Sequence, residues 1–149
     1  MPGSAPSSTL PAVAEAGWFL RLVWLVFVIG LAGLLVTAWR LQPNPTGMGT
    51  HQQLGLPPCS IVVLWGVRCP ACGMTTSWAY FTDGHWWTSW CTNPGGFLFA
   101  VIATVAVPWL AYLAVTGKRG PNWSLPLLAG VLIVGLAVTL GDWAIRLLS

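Results

Sequence analysis

Charge is what this sequence has least of. Its 149 residues include three Asp or Glu and six Lys or Arg, 6% in all, where a water-soluble domain carries roughly 25%. So few charges cannot coat a surface that faces water, and a soluble globular domain is excluded. The net charge of +3, with no clustered basic face, excludes nucleic acid as a partner. Catalytic signatures are missing as well. There is no phosphate-binding glycine loop, no Gly-x-Ser-x-Gly, no His-Glu-x-x-His and no repeat of fixed period. Nor does the chain show the paired acids or the broken helices in two matching halves that mark a transporter. These absences lean away from an enzyme.

What is present is apolar. Hydrophobic residues make up 56% of the chain, and eleven are Trp. Several of these, Trp18, Trp39, Trp109, Trp123 and Trp143, lie at or near the ends of apolar runs, where an indole meets the lipid headgroups with its ring apolar and its N–H wet. Three runs are long enough to cross a bilayer. The first, 18–39, has no charge between Leu22 and Ala38 and is flanked by Arg21 and Arg40. As a helix it rises about 33 Å, against a hydrocarbon core of roughly 30 Å. The second, 95–116, contains Pro108, which predicts a kink and a freed carbonyl at Thr104. The third, 125–148, ends with Asp142 and Arg146, spaced to pair on one helical face as an interfacial anchor. Gly30, Gly33 and Thr37 form a small-residue strip on the first run, which we expect to ease packing inside the protein rather than to pair two copies.

The predicted fold is therefore all-α, an integral membrane protein of three transmembrane helices. Residues 1–16, rich in Pro, Ser and Ala, are expected to be a flexible tail rather than a signal peptide, since they carry no Lys or Arg. The remainder, 17–149, is one membrane domain. Positive charges are evenly split between the two sides, but Lys118-Arg119 is a concentrated pair in a short turn. That favours the N-terminus inside and the loop between the first two crossings outside. The lipid bilayer is the expected partner, with another membrane protein or a second copy as further candidates.

That loop, 41–93, holds all four cysteines, Cys59, Cys69, Cys72 and Cys91. A turn-rich start at Gln42 to Gly47 is followed by a short apolar stretch, Ile61 to Val67, and then by Cys69-Pro70-Ala71-Cys72-Gly73. Thr75 or Thr76 is placed to cap a short helix running to about Thr82, which Asp83-Gly84 breaks. A second short segment spans His85 to Cys91, and Asn93-Pro94 ends the loop. Its many aromatics predict a partly membrane-embedded loop rather than a hydrophilic domain.

Three chemistries fit these cysteines. Cys69 and Cys72 form a Cys-x-x-Cys at a predicted helix start, where a thiolate is stabilised and disulfide exchange is favoured. Small membrane oxidoreductases use such a pair beside a second one, here Cys59 and Cys91. The same turn can instead place two sulfurs on a zinc ion. Further ligands would then come from Cys59 with Cys91, His85 or His51. Of the two histidines, His85 is the stronger candidate, because it follows the Gly84 break within the cysteine loop. The third chemistry is two plain disulfides stapling a loop that lacks its own core. Zinc is thus the candidate cofactor.

The spacing of Cys59 from Cys69-Pro70-Ala71-Cys72-Gly73-Met74-Thr75, the short helix ending at Gly84, and Asn93-Pro94 before an apolar helix resembles the small bacterial membrane proteins of domain of unknown function 2752. The resemblance covers about Cys59 to Thr116. It implies a bacterial inner-membrane location and a cysteine motif that includes Pro70, Gly73, Thr75, Gly84, Asn93 and Pro94, but no reaction. Here Thr76 stands where the family pattern has Arg, Ser60 where it has Pro, and Cys91 is an addition.

Overall fold

The computed structural model describes residues 16–148, and among these it is helical with no β-strand. The tail expected at 1–16 lies outside the described residues except for Ala16, which is buried and donates its backbone N–H to the carbonyl of Gly117 at 2.8 Å.

Three helices are long and apolar enough to cross a membrane: α1 (Trp18–Arg40), α5 (Pro94–Thr116) and α6 (Ser124–Leu148). Helix is the conformation such runs must take in lipid, because it satisfies every backbone group within the segment. Between α1 and α5 lie a short 3-10 helix (Thr50–Leu54) and three short helices, α2 (Ser60–Trp65), α3 (Met74–Thr82) and α4 (Trp86–Thr92). Helix α5 is central. It packs on α1 along one side and on α6 along the other, while α3 sits against α1, α4 and α5. The bond from Ala16 to Gly117 places the start of α1 beside the α5–α6 turn. At the opposite end, Trp143 and Arg146 of α6 bond to carbonyls of Arg68 and Cys91 in the loop. The chain therefore runs up, down and up, with the cysteine loop and the end of α6 on one face.

At the start of α5 three elements pack closely. Asn93 caps it, accepting from the N–H of Gly96 at 2.7 Å, and Pro94 occupies the first turn, where its missing N–H costs nothing. A methyl group on Gly95 would run into the Thr139 side chain of α6, and one on Gly96 would lie 3.0 Å from Cβ of Ser77 on α3. These two glycines let three elements converge.

One expectation needs correction. The strip of Gly30, Gly33 and Thr37 does not ease packing within the chain: both glycines are exposed, and a methyl group on either would meet nothing within 4 Å. The close helix contact falls at Gly95 and Gly96 instead. Pro108 lies inside α5, which runs as one element from Pro94 to Thr116. The predicted pair at the end of α6 is present, with Arg146 Nε 2.7 Å from the Asp142 carboxylate.

The loop has a core of its own, and it is polar. Thr50, Thr76, Ser77 and Ser89 are its largest fully buried side chains. Ser77 Oγ donates to the Ser89 carbonyl at 2.9 Å and the Asn93 carbonyl at 3.0 Å, while Ser89 Oγ donates to the Ser77 carbonyl at 2.7 Å. These bonds tie α3 to α4 and to the start of α5, and they satisfy polar groups whose burial would otherwise be costly.

Candidate metal centre

Three backbone devices bring three cysteines together. Pro57-Pro58 delivers Cys59 to the start of α2, and Gly66, at φ 67°, ends that helix after one and a half turns. The chain then returns to Cys69, where a tight turn closes: the N–H of Cys72 donates to the Cys69 carbonyl at 3.0 Å, and the N–H of Cys69 to Cys72 Sγ at 3.3 Å. Gly73 leaves the turn at φ 87°, a region that favours glycine. A methyl group there would lie 2.7 Å from the Gly47 carbonyl oxygen, so Gly73 serves both the turn and the approach of residue 47. Asn93 holds the turn from behind, with Nδ2 donating to the carbonyls of Pro70 at 3.3 Å and Cys72 at 3.2 Å.

The result is a cluster of thiols. Cys69 Sγ lies 3.0 Å from Cys72 Sγ and 3.5 Å from Cys59 Sγ, and the three sulfurs fall within 4.8 Å of one another. All three are half-buried. They line a cavity of about 440 Å³ together with residues that include His51, Met48, Thr75 and Thr76. Residues 59–107 match the family described as a protein of unknown function, DUF2752. No curated protein and no solved structure matches the chain. The DUF2752 segment starts on the first sulfur of the cluster and runs into α5, so it contains all four cysteines, the Asn93 clamp and the glycines at the start of α5.

Within that segment the cysteines divide. Cys91, on α4, is exposed, and its sulfur is not part of the cluster; its carbonyl accepts from Arg146 Nη2 at 3.1 Å. All four cysteines are free thiols. The Cys91 sulfur thus lies apart from that of Cys59, with which the sequence suggested a second redox pair.

The thiols differ electrostatically. The Cys59 thiol is held below its ordinary value, first by the backbone N–H of Val62, then by Cys69 and the N–H of Ile61. The Cys72 thiol is pushed up to about 12, chiefly by burial and then by the Cys69 side chain beside it. Burial thus works against the thiolate that a helix start would favour.

The cap is also elsewhere than predicted. Gly73 precedes α3 and neither threonine caps it. Thr76 turns inward, its Oγ1 2.8 Å from that of Thr50, with both side chains no more than 1% exposed. Thr75 faces the cavity. Gly84, at φ 83°, follows the end of α3 as expected.

The histidines exchange their expected places. His85 is exposed, and its Nδ1 lies 3.0 Å from the Asp83 carboxylate. It does not line the cavity, whereas His51 does. Sequence reasoning missed Thr50, Ser77, Ser89 and Trp143 as supports of the site. The two serines left one usable trace: they are small hydroxyl residues inside otherwise aromatic helical segments.

Proposed function

We propose that this membrane protein binds a soft divalent cation, zinc foremost, through Cys59, Cys69 and Cys72, and that the site is structural rather than catalytic. One observation carries the reading: three thiol sulfurs from two separate stretches of chain lie within 4.8 Å of one another. Sulfurs bound tetrahedrally to zinc at about 2.3 Å are about 3.8 Å apart, so the gaps of 3.0 and 3.5 Å here would open slightly around an ion. A bound cation would also make three neighbouring thiolates mutually tolerable. The 3.0 Å separation of Cys69 and Cys72 supports a second reading, thiol–disulfide exchange in that pair.

The protein acts, on this proposal, in a bacterial inner membrane with its N-terminus inside and the cysteine loop outside. Supporting that sidedness is the Lys118-Arg119 pair in the turn opposite the loop. Exposed Cys91 is the natural reporter. A membrane-impermeant maleimide added to intact cells should label it, and labelling only after lysis would reverse the orientation.

The test of the site is metal content and thiol state, read on one sample purified in mild detergent. About one zinc per chain, with Cys59, Cys69 and Cys72 shielded from alkylation until a chelator is added, is the expected result. A readily reduced and re-formed Cys69–Cys72 disulfide without metal would replace the metal site with the exchange reading.

A further inference from the structure

The three sulfurs leave a tetrahedral ion one donor short. We infer that His51 supplies it, so that the centre is a closed site of three cysteines and one histidine; this rests on the metal reading above.

Three observations converge on His51. First, the imidazole lines the same cavity as the three sulfurs, and Cys59, Cys69, Cys72 with a nitrogen donor is a recurrent zinc set. The cavity also offers the thioether of Met48, the amides of Asn44 and Gln52 and several hydroxyls, all weaker partners for zinc than imidazole.

Second, the fold spends specific contacts on bringing residue 51 to this place. Thr50, its neighbour, is fully buried, paired with Thr76 at 2.8 Å and accepting from the N–H of Asn44 at 3.0 Å. Gln53 closes the other side, donating to the Gln42 carbonyl at 2.6 Å and accepting from the Gln42 N–H at 3.1 Å. The 3-10 helix is thereby docked on α3, one turn from Cys72.

Third, His51 Nε2 lies 3.2 Å from the carbonyl oxygen of Pro57, two residues before Cys59. A metal-bound histidine almost always gives its other ring N–H to such an acceptor, which fixes the tautomer. With Nε2 donating to Pro57, Nδ1 is the lone-pair nitrogen.

The ring is not within the 4.8 Å that gathers the sulfurs, so binding requires it to close into the cavity. The 3-10 helix that carries it is bracketed by Gly49 at φ 81° and Gly55 at φ 77°, and a shift of this segment together with residue 57 would keep the Nε2–Pro57 bond.

Cobalt replacing zinc in the full-length, detergent-purified chain reads the donor set directly. The wild type should show sulfur-to-cobalt charge transfer together with the visible bands of tetrahedral cobalt. His51→Gln should keep the charge transfer of three thiolates while the visible bands shift. Zinc affinity should fall by more than the roughly 10–100-fold that loss of a ligand's outer hydrogen-bond partner costs. His85→Gln should match the wild type. Visible bands and affinity unchanged in His51→Gln, or changed instead in Met48→Leu, would overturn the assignment. A wild type without sulfur-to-cobalt charge transfer would overturn the metal reading itself. Zinc X-ray absorption of the unmodified protein needs no variant. Three sulfurs with imidazole outer-shell scattering is the expected result, and four sulfurs, or three sulfurs and an oxygen, would contradict it.

Discussion

Trp143, near the end of the last crossing, donates its indole N–H to the carbonyl of Arg68 at 2.6 Å, across 75 residues of sequence. Arg68 is the residue before Cys69, so α6 reaches the thiol cluster through one hydrogen bond. Trp143→Phe keeps most of the ring and removes the donor. Such a bond contributes about 1 kcal/mol, or roughly a fivefold change in a local opening equilibrium. Amide hydrogen exchange across residues 66–72 should speed up by about that factor. Unchanged exchange would mean that the clasp does not hold the turn.

Asn93 separates two roles that one side chain now performs. Its Oδ1 caps α5 and its Nδ2 holds the carbonyls of Pro70 and Cys72. Asn93→Ser keeps a good capping oxygen but has no amide to reach the turn. Helix content by circular dichroism should stay at the wild-type level while cobalt affinity falls roughly tenfold. Equal affinity in the two proteins would show that the turn stands without the amide.

The convergence at the start of α5 makes Gly95 intolerant of a side chain. Gly95→Ala collides with Thr139, whose hydroxyl is already committed to the Gly135 carbonyl at 2.7 Å. Forcing a methylene into such a contact costs about 1–3 kcal/mol, and the melting temperature in detergent should fall accordingly. Gly130→Ala, which meets nothing within 4 Å, should melt with the wild type. A Gly95→Ala protein that also does so would refute the close approach of α5 and α6.

In chelator-treated protein the thiols should react in a fixed order. Alkylation needs the thiolate. Cys59, with its thiol lowered by the N–H groups at the start of α2, should react well before Cys72, whose thiol sits at about 12. At pH 8 a thiol of that strength is ionised to roughly one part in ten thousand. Its rate should therefore rise about tenfold per pH unit through the alkaline range, while that of Cys59 levels off first. Mass spectrometry of timed samples separates the sites, and equal rates at pH 8 would refute the ordering.

Much of this was legible because much of it is local. An uncharged apolar run becomes a crossing whatever surrounds it, and Asp142 pairs with Arg146 because a helix puts residues four apart on one face. Cys69 and Cys72 meet through a turn written in five consecutive residues. The illegible parts depend on partners distant in sequence. Gly30 and Gly33 have the spacing of a packing strip, but spacing cannot say which face of a helix meets protein, and here Gly95 and Gly96 do that work. Thr76 reads as a cap until Thr50 is known to lie against it. His85 is close to the cysteines along the chain and His51 is not adjacent to them, yet the fold-back of the 3-10 helix brings His51 to the cavity and leaves His85 with Asp83. Cys91 belongs to the cluster by sequence only.

The separations along the chain also imply an order of assembly. The three clustered sulfurs are three and ten residues apart, and joining such short loops sacrifices little chain entropy. The Asn93 clamp and the Thr50–Thr76 pair close within a further few tens of residues. The local contacts that shape the cluster are thus all within reach once α5 has begun to emerge during synthesis. The last crossing, arriving later, adds the Trp143 bond to Arg68.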